Sequence, residues 1–319
     1  PLVEEADIIH LHWINQGFLS LRDIERLVKL NKPIVWTMHD MWPCTGICHH
    51  ARDCEKFQTE CESCFFLKSK GKDLSTSVFD KKMSLYKDAN ITFVGCSRWL
   101  SGRAKKSYLL RGKAVLSIPN PIDTKVYHPM DQGMARELLG LPSGKRLLLF
   151  GALNVTDKRK GIDYLIEALR RMEKQDVELV VFGQVKDDIR GLFPVPIHSM
   201  GYLSDESKIV ALYNAVDMFI TSSLEENLPN TIMESMACGT PCVGFEIGGI
   251  PEMIDHRVNG YVANYKDAGD LANGIQWVLE HEDRLALSDA CVKKVQENYT
   301  EEVVAKQYTA LYEKLLKGE

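Results

Sequence analysis

Apolar residues fall along the chain in two alternating patterns. Short runs of three to five apolar positions end in Gly or in polar loops, and longer stretches carry apolar residues at helical spacing. Ile8–Leu11, Ile34–Met38, Ile91–Gly95 and Val115–Ile118 read as strands in the first third. From Arg146 the alternation is clearer. Strands are predicted near Leu147–Phe150, Glu178–Phe182, Met218–Thr221 and Cys242–Phe245, with helices near Ile162–Met172, Glu206–Asn214, Thr231–Ala237 and Leu271–His281. Strand and helix in turn make βαβ units, and hence α/β domains with doubly wound parallel sheets. Pro119-Asn120-Pro121-Ile122-Asp123 separates the two regions and is the expected hinge. There is no internal repeat or low-complexity segment.

A chain of 319 residues can bury two cores, and 45% hydrophobic with 26% charged residues is ordinary for a globular protein. The net charge of -5 gives no reason to expect nucleic acid as a partner. No apolar run reaches membrane-span length, and the opening residues are acidic rather than signal-like, which predicts a cytoplasmic location. The first region is short for a complete domain and opens almost directly on a strand. The expectation is that an N-terminal strand-turn-helix unit is missing.

The chemistry gathers in the second region. In an open α/β sheet, ligands bind beyond the carboxyl ends of the strands. Those ends carry Gly151 to Gly161 with Lys158-Arg159-Lys160, then Gly183-Gln184, then Glu226 and the helix that follows it, then Gly248-Gly249. Glu226 and Glu234 bracket a helix start at Pro229-Asn230-Thr231, and Gly239 is placed to end that helix. Unpaired N–H groups at such a start suit phosphate, and the carboxylates can accept hydrogen bonds from sugar hydroxyls. Cations, glycines and a helix terminus aimed at one crevice describe a diphosphate site needing no metal, and the whole points to a sugar nucleotide. Taken singly, the glutamates and the basic triplet could equally be solvated surface.

These residues resemble the retaining glycosyltransferases of family 4, which have the GT-B fold of two Rossmann-like domains. The family's glutamate pair matches Glu226 and Glu234, followed by Ala237-Cys238-Gly239-Thr240-Pro241. Lys160-Gly161 matches its diphosphate lysine, Pro119–Asp123 its linker, and Gly248-Gly249-Ile250-Pro251-Glu252 the turn near the donor. The resemblance implies an α/β GT-B fold with an incomplete N-terminal domain over 1–118, a donor domain over 119–299, and a C-terminal helix over 300–319 that packs back on the first domain. It implies that Lys160 neutralises the leaving diphosphate, Glu234 holds the ribose, and Glu226 contacts the donor sugar. Arg159, Gly183, Asn227, Leu228, Asn230 and Thr231 complete the donor site. The family's cleft histidine matches His12, on the same strand face as His10, and His39 falls on the acceptor side; a structural imidazole is the alternative for each.

The co-substrate implied is a nucleotide-diphosphate-sugar, with no catalytic metal. The acceptor is a glycan or a lipid-linked sugar, and the setting is surface polysaccharide or lipopolysaccharide assembly. Two departures keep a catalytically silent sugar-nucleotide-binding or scaffold protein open: Ala152 stands where the family usually has arginine, and the N-terminal glycine-rich loop is absent. Arg159 or Lys158 is the expected substitute cation. Another enzyme on the same fold, a phosphorylase or an epimerase, is a third reading.

Two further segments carry candidate chemistry. Cys48, Cys54, Cys61 and Cys64, in a cysteine-rich insertion over 44–64, invite a structural zinc ion, with free or redox-active thiols as the alternative. Arg98, Arg103, Lys105, Lys106, Arg111 and Lys113 alternate with Trp99, Leu100, Tyr108, Leu109 and Leu110. That pattern predicts either a peripheral contact with anionic lipid or a solvated basic face over a core-facing stripe.

Overall fold

A computed structural model describes residues 2–154, 157–172, 176–184 and 190–318. The chain forms two compact units, Pro1–Pro119 with Ala305–Glu319, and Asn120–Val304. Each has its own parallel sheet and its own core.

The sheet of the first unit has four strands in the order β1 (Ile9–Leu11), β2 (Ile34–Met38), β3 (Ile91–Gly95) and β4 (Val115–Ser117). Every pairing is parallel. β2 and β3 are buried at every position, which explains why they read as continuous apolar runs. Helices Leu21–Val28 and Leu74–Tyr86 are each started by a capping box, built on Ser20 with Asp23 and on Asp73 with Thr76.

The cysteine-rich segment is pinned from inside. The buried amino group of Lys82 donates to the carbonyls of Trp42, Thr45 and Gly46 at 2.5, 3.0 and 3.1 Å and lies 3.4 Å from the centre of the Trp42 ring. Burial pulls the Lys82 pKa down to about 7. The basic stretch that follows β3 turns its apolar side inward: Leu100, Ala104, Leu109 and Leu110 lie in the core. Its stripe is therefore core rather than a lipid-facing surface.

The second unit has six parallel strands, β5 (Arg146–Asn154), β6 (Val177–Gln184), β7 (Ile197–Gly201), β8 (Met218–Thr221), β9 (Cys242–Phe245) and β10 (Gly260–Ala263), in the order β10-β9-β8-β5-β6-β7. β5 therefore pairs with β6 on one side and with β8 on the other. The winding reverses there, leaving a crevice at the carboxyl ends of β5 and β8. β5 runs farther than the apolar run implies, because pairing with β6 resumes at Asn154↔Gln184 after a register shift beyond Gly151. Ala152 is thus a buried strand residue rather than the start of a loop.

The carboxylate of Asp217, 2% exposed, anchors the other end of this sheet. It accepts from Arg136 at 3.0 Å, Arg284 at 2.6 Å and the Leu147 amide at 2.7 Å. Ile122 bridges to Thr300, so the segments that enter and leave this unit run side by side. The helix Glu301–Leu316 begins in the second unit and ends in the first, where it packs against β1 and β2 through Tyr308 and Tyr312.

Candidate functional site

In the second unit the loops after β5, β8 and β9 are bonded into one constellation. Past residues 155 and 156, which lie outside the described residues, the loop after β5 forms a single 3-10 turn over Lys158–Lys160, capped by the Asp157 side chain. The Leu224 amide donates to the Arg159 carbonyl at 2.7 Å, and the Ser222 hydroxyl to the Lys160 carbonyl at 3.0 Å. Gly161 then turns the chain at φ +64°, and a Cβ there would lie 1.9 Å from the Ser222 carbonyl oxygen. Only glycine satisfies both constraints.

That anchoring delivers the Lys160 amino group to the Glu226 carboxylate at 2.5 Å. The lysine side chain is 33% exposed and the glutamate 15%, so the pair opens to solvent while still restricted by the fold. Gly248, at φ +59°, sits under the Glu226 carbonyl, where a Cβ would come within 1.9 Å, and the Gly249 amide donates to the Asn227 carbonyl at 2.6 Å. Asn227 and Leu228 are buried, Pro229 precedes the helix, and Asn230–Ala237 is the helix itself. No side chain caps that helix start, and a helix start carries the positive end of the helix dipole.

Glu234, one turn in, accepts a hydrogen bond from the buried hydroxyl of Tyr213 at 2.8 Å. Burial raises the Glu234 carboxyl above its ordinary value, and the Tyr213 bond works against that rise. Asn230 is exposed and accepts from Asn120 at 3.3 Å, and Thr231 is half-buried beside it.

The structure thus brings Lys160, Glu226, Asn227, Leu228, Asn230, Thr231 and Glu234 together beyond the carboxyl ends of the central strands β5 and β8. Gly183 lies within β6, with φ +122°, one strand away from β8. Arg159 is exposed and doubly bonded to the Asp157 carboxylate, at 2.6 and 3.1 Å, so its charge is partly committed inside its own turn. Lys158 is exposed. Sequence reasoning missed Tyr213 and Ser222. Tyr213 sits in a helix with no local motif, and Ser222 acts through one hydroxyl in a buried loop, so neither carries a signal readable along the chain.

The first unit holds a second group of polar side chains where β1 and β2 end. His12 Nδ1 lies 3.1 Å from His39 Nε2, and the His10 ring lies tilted against that of His12 with the ring centres 4.3 Å apart. His10 bonds Thr37 at 2.8 Å through Nε2 and Tyr312 at 2.6 Å through Nδ1, and Thr37 also meets Tyr308 at 2.7 Å. Burial, with help from His12 and His39, pulls the His10 pKa down to about 4, and burial lowers His12 and His39 as well. All three imidazoles are therefore neutral at physiological pH. Asp40 accepts from Trp13 at 2.9 Å and from the Trp42 amide at 2.8 Å, and bonds His49 at 2.7 Å. Asp40, His49 and the two tyrosines had no signal in the sequence, since the contacts that join His49 to Asp40 and Tyr312 to His10 span 9 and 302 residues.

All nine cysteines are free thiols. Cys48, Cys54, Cys61 and Cys64 fold toward one another: burial pushes Cys48 up to about 12, and the neighbouring thiols of Cys64, Cys61 and Cys54 add to the effect. Among the described residues, however, no group of three or more His, Cys, Asp or Glu side chains is arranged to hold a metal ion. The four side chains are neighbouring thiols.

Residues 144–281 match the model of the family described as glycosyl transferases group 1. The chain is 24% identical over 213 residues to the N-acetyl-alpha-D-glucosaminyl L-malate synthase of Bacillus anthracis, covering 65% of this chain and 55% of the relative. It is 27% identical over 185 residues to the amylovoran biosynthesis glycosyltransferase AmsK of Erwinia amylovora, covering 53% of this chain and 45% of the relative. The chain thus spans about half the length of these relatives. Among solved structures, Anabaena Alr3699/HepE in complex with UDP superposes with a TM-score of 0.74 at 18% identity, covering 98% of this chain and 80% of that one. The fold is that of the GT-B glycosyltransferases, with two Rossmann-like α/β units.

Proposed function

We propose that this protein is a retaining glycosyltransferase of family 4, moving a sugar from a nucleotide-diphosphate-sugar to an acceptor hydroxyl in surface polysaccharide or lipopolysaccharide assembly. The observation that carries the reading is the Lys160–Glu226 pair at the switch point of the second sheet, beside an uncapped helix start and one helical turn from Glu234. A cation and free amides suit a diphosphate, and two carboxylates suit hydroxyls. The UDP bound to HepE and the polysaccharide role in the name of AmsK support the donor class and the setting.

In this reading Lys160 moves from Glu226 to the diphosphate, helped by the amides near Asn227, Leu228 and the start of the helix at Asn230 and Thr231. Arg159 and Gly183 border the same donor site. Glu226, released, accepts from donor sugar hydroxyls, and Glu234, oriented by Tyr213, accepts from the ribose. As the C1–O bond to the diphosphate breaks, negative charge grows on the leaving oxygen next to the lysine, where fixed charge is most effective. The acceptor oxygen bonds to C1 from the same face, and its proton passes to the departing phosphate oxygen. Among unit-one residues we assign His12 to the reacting sugar and His39 to the acceptor side. His12 enters as a neutral imidazole that hydrogen-bonds a sugar hydroxyl, consistent with its lowered pKa.

Calorimetric titration with UDP, GDP, ADP and their sugar conjugates tests the proposal, with Lys160→Ala and Glu234→Ala as controls. Binding that both variants weaken, together with slow release of diphosphate from a sugar conjugate, supports a transferase. Binding without any turnover favours a silent nucleotide-binding protein, and no binding by the intact chain overturns the reading.

A further inference from the structure

The net charge of the chain is -5, yet Cys64 to Lys72 reads Cys-Phe-Phe-Leu-Lys-Ser-Lys-Gly-Lys, with three lysines and no acidic residue. In the structure this segment is an ordered turn projecting from the first unit. Phe65, Phe66 and Leu67 are 43%, 45% and 38% exposed and adjacent, and Lys68, Lys70 and Lys72 are exposed beside them. The Arg52 guanidinium lies over both aromatic rings, 5.7 and 5.3 Å from their centres, adding a fourth cation to the same tip.

Apolar side chains on a loop are often exposed because the loop is loose, but this one is held. The Leu67 and Ser69 amides donate to the Cys64 carbonyl at 3.1 and 3.4 Å, the Ser63 amide to the Gly71 carbonyl at 2.8 Å, and the Gly71 amide to the Ser63 hydroxyl at 2.8 Å. Asp73, the residue after Lys72, braces the turn by accepting from the Cys64 amide at 2.8 Å and from the Ser69, Ser75 and Thr76 groups. The fold thus holds three large apolar side chains out in water beside a run of exposed lysines.

Cations beside an apolar tip exclude most uses. A core contact would not carry four cations, and a solvated basic loop would not carry adjacent phenylalanines. Lysine stems can lie along an apolar surface while their ammonium groups reach phosphate level, and aromatic rings settle at the headgroup boundary. No helix of the described residues is long and apolar enough to cross a bilayer, so any membrane contact through a helix would be peripheral. We propose that the Phe65–Lys72 turn, with Arg52, is a docking surface for an anionic phospholipid bilayer, inserting Phe65, Phe66 and Leu67 among the headgroups while the cations meet lipid phosphates. This surface belongs to the first unit and does not depend on the reaction assigned to the second.

The test is sedimentation of the full chain with vesicles of phosphatidylcholine alone and of phosphatidylcholine mixed with phosphatidylglycerol. The expected result is binding to the mixed vesicles only, weakened by added salt. Each lysine near an anionic surface is worth about fivefold in partition, so replacing Lys68, Lys70 and Lys72 with Gln reduces binding roughly a hundredfold. Replacing Phe65 and Phe66 with Ser reduces it roughly tenfold or more, whereas Leu285→Ser, at a still more exposed apolar position of the second unit, leaves it unchanged. Each variant must keep the thermal midpoint of the parent chain, which separates lost docking from lost folding. Equal binding to neutral vesicles, no binding by the parent chain, or binding indifferent to both sets of substitutions overturns the proposal. So does a serine variant whose only change is a smaller oligomer, which would make the tip a protein contact.

Discussion

Glu226 and Lys160 neutralise each other in the free protein, which makes opposite demands on two substitutions in the same pair. A unit-charge pair 4 Å apart at an effective dielectric constant of 20 attracts by about 4 kcal/mol, but pairs open to solvent retain only about 1 kcal/mol net. With the lysine side chain 33% exposed, the lower figure applies. A bare nucleoside diphosphate must break this contact to recruit Lys160 and gains nothing from Glu226, whose proposed ligand is the sugar. Glu226→Gln therefore tightens bare diphosphate binding by up to about fivefold while weakening the intact sugar conjugate and slowing transfer. Lys160→Ala removes a charged hydrogen bond worth about 1.5–3 kcal/mol and weakens both ligands roughly ten- to a hundredfold. Calorimetry of both ligands against both variants gives the four affinities. If Glu226→Gln weakens the bare diphosphate as strongly as Lys160→Ala does, Glu226 is a scaffold of the loop rather than a competitor for the lysine, and the reasoning fails.

Three other outcomes follow from particular contacts. Gly161→Ala places a Cβ 1.9 Å from the Ser222 carbonyl oxygen at φ +64°, costing at least about 1–2 kcal/mol from the backbone alone; nucleotide affinity should fall in titration before global unfolding is detected. Asp217→Ala leaves the Arg136 guanidinium, 7% exposed, without its counter-charge and should cost about 3–5 kcal/mol in urea denaturation of the second unit. His10 has its folded pKa lowered from 6.5 to about 4, so the unfolded chain binds the extra proton first. The stability His10 contributes is full above pH 6.5 and is lost as pH falls toward 4, on the order of 3 kcal/mol at the lower limit. His10→Gln should flatten that part of the pH–stability curve, as measured by denaturation midpoints in the first unit.

What the chain alone specifies here is local. Buried parallel strands such as β2 and β3 are continuous apolar runs, so they stand out, and Ile34–Met38 and Ile91–Gly95 were legible to the residue. The helix at Asn230–Ala237 was legible because its start and stop are written in Pro229 and Gly239. β7 and β10 were not, because they lie at the two edges of their sheet; β7 is only half-buried along its length, so its apolar pattern is weak. The Glu226–Glu234 spacing made a sugar-nucleotide site the expectation.

Tertiary structure decided which of those groups meet. That Lys160 pairs with Glu226, 66 residues away, depends on β5 and β8 being neighbours at the point where the winding reverses. The order of strands in a sheet is settled by packing over the whole domain, and no local pattern encodes it. The same holds for Tyr213 under Glu234 and for Tyr312 on His10, contacts made by side chains with unremarkable local sequence. The basic stretch after β3 and the turn at Phe65–Lys72 make the point from the other side. Both mix cations with apolar residues, but burial in a core removes the first from any surface, while hydrogen bonds through Asp73 and Ser63 hold the second out in solvent. Composition lists the groups a chain owns, and only the closed fold, by burying some and pairing others, determines which remain available to act.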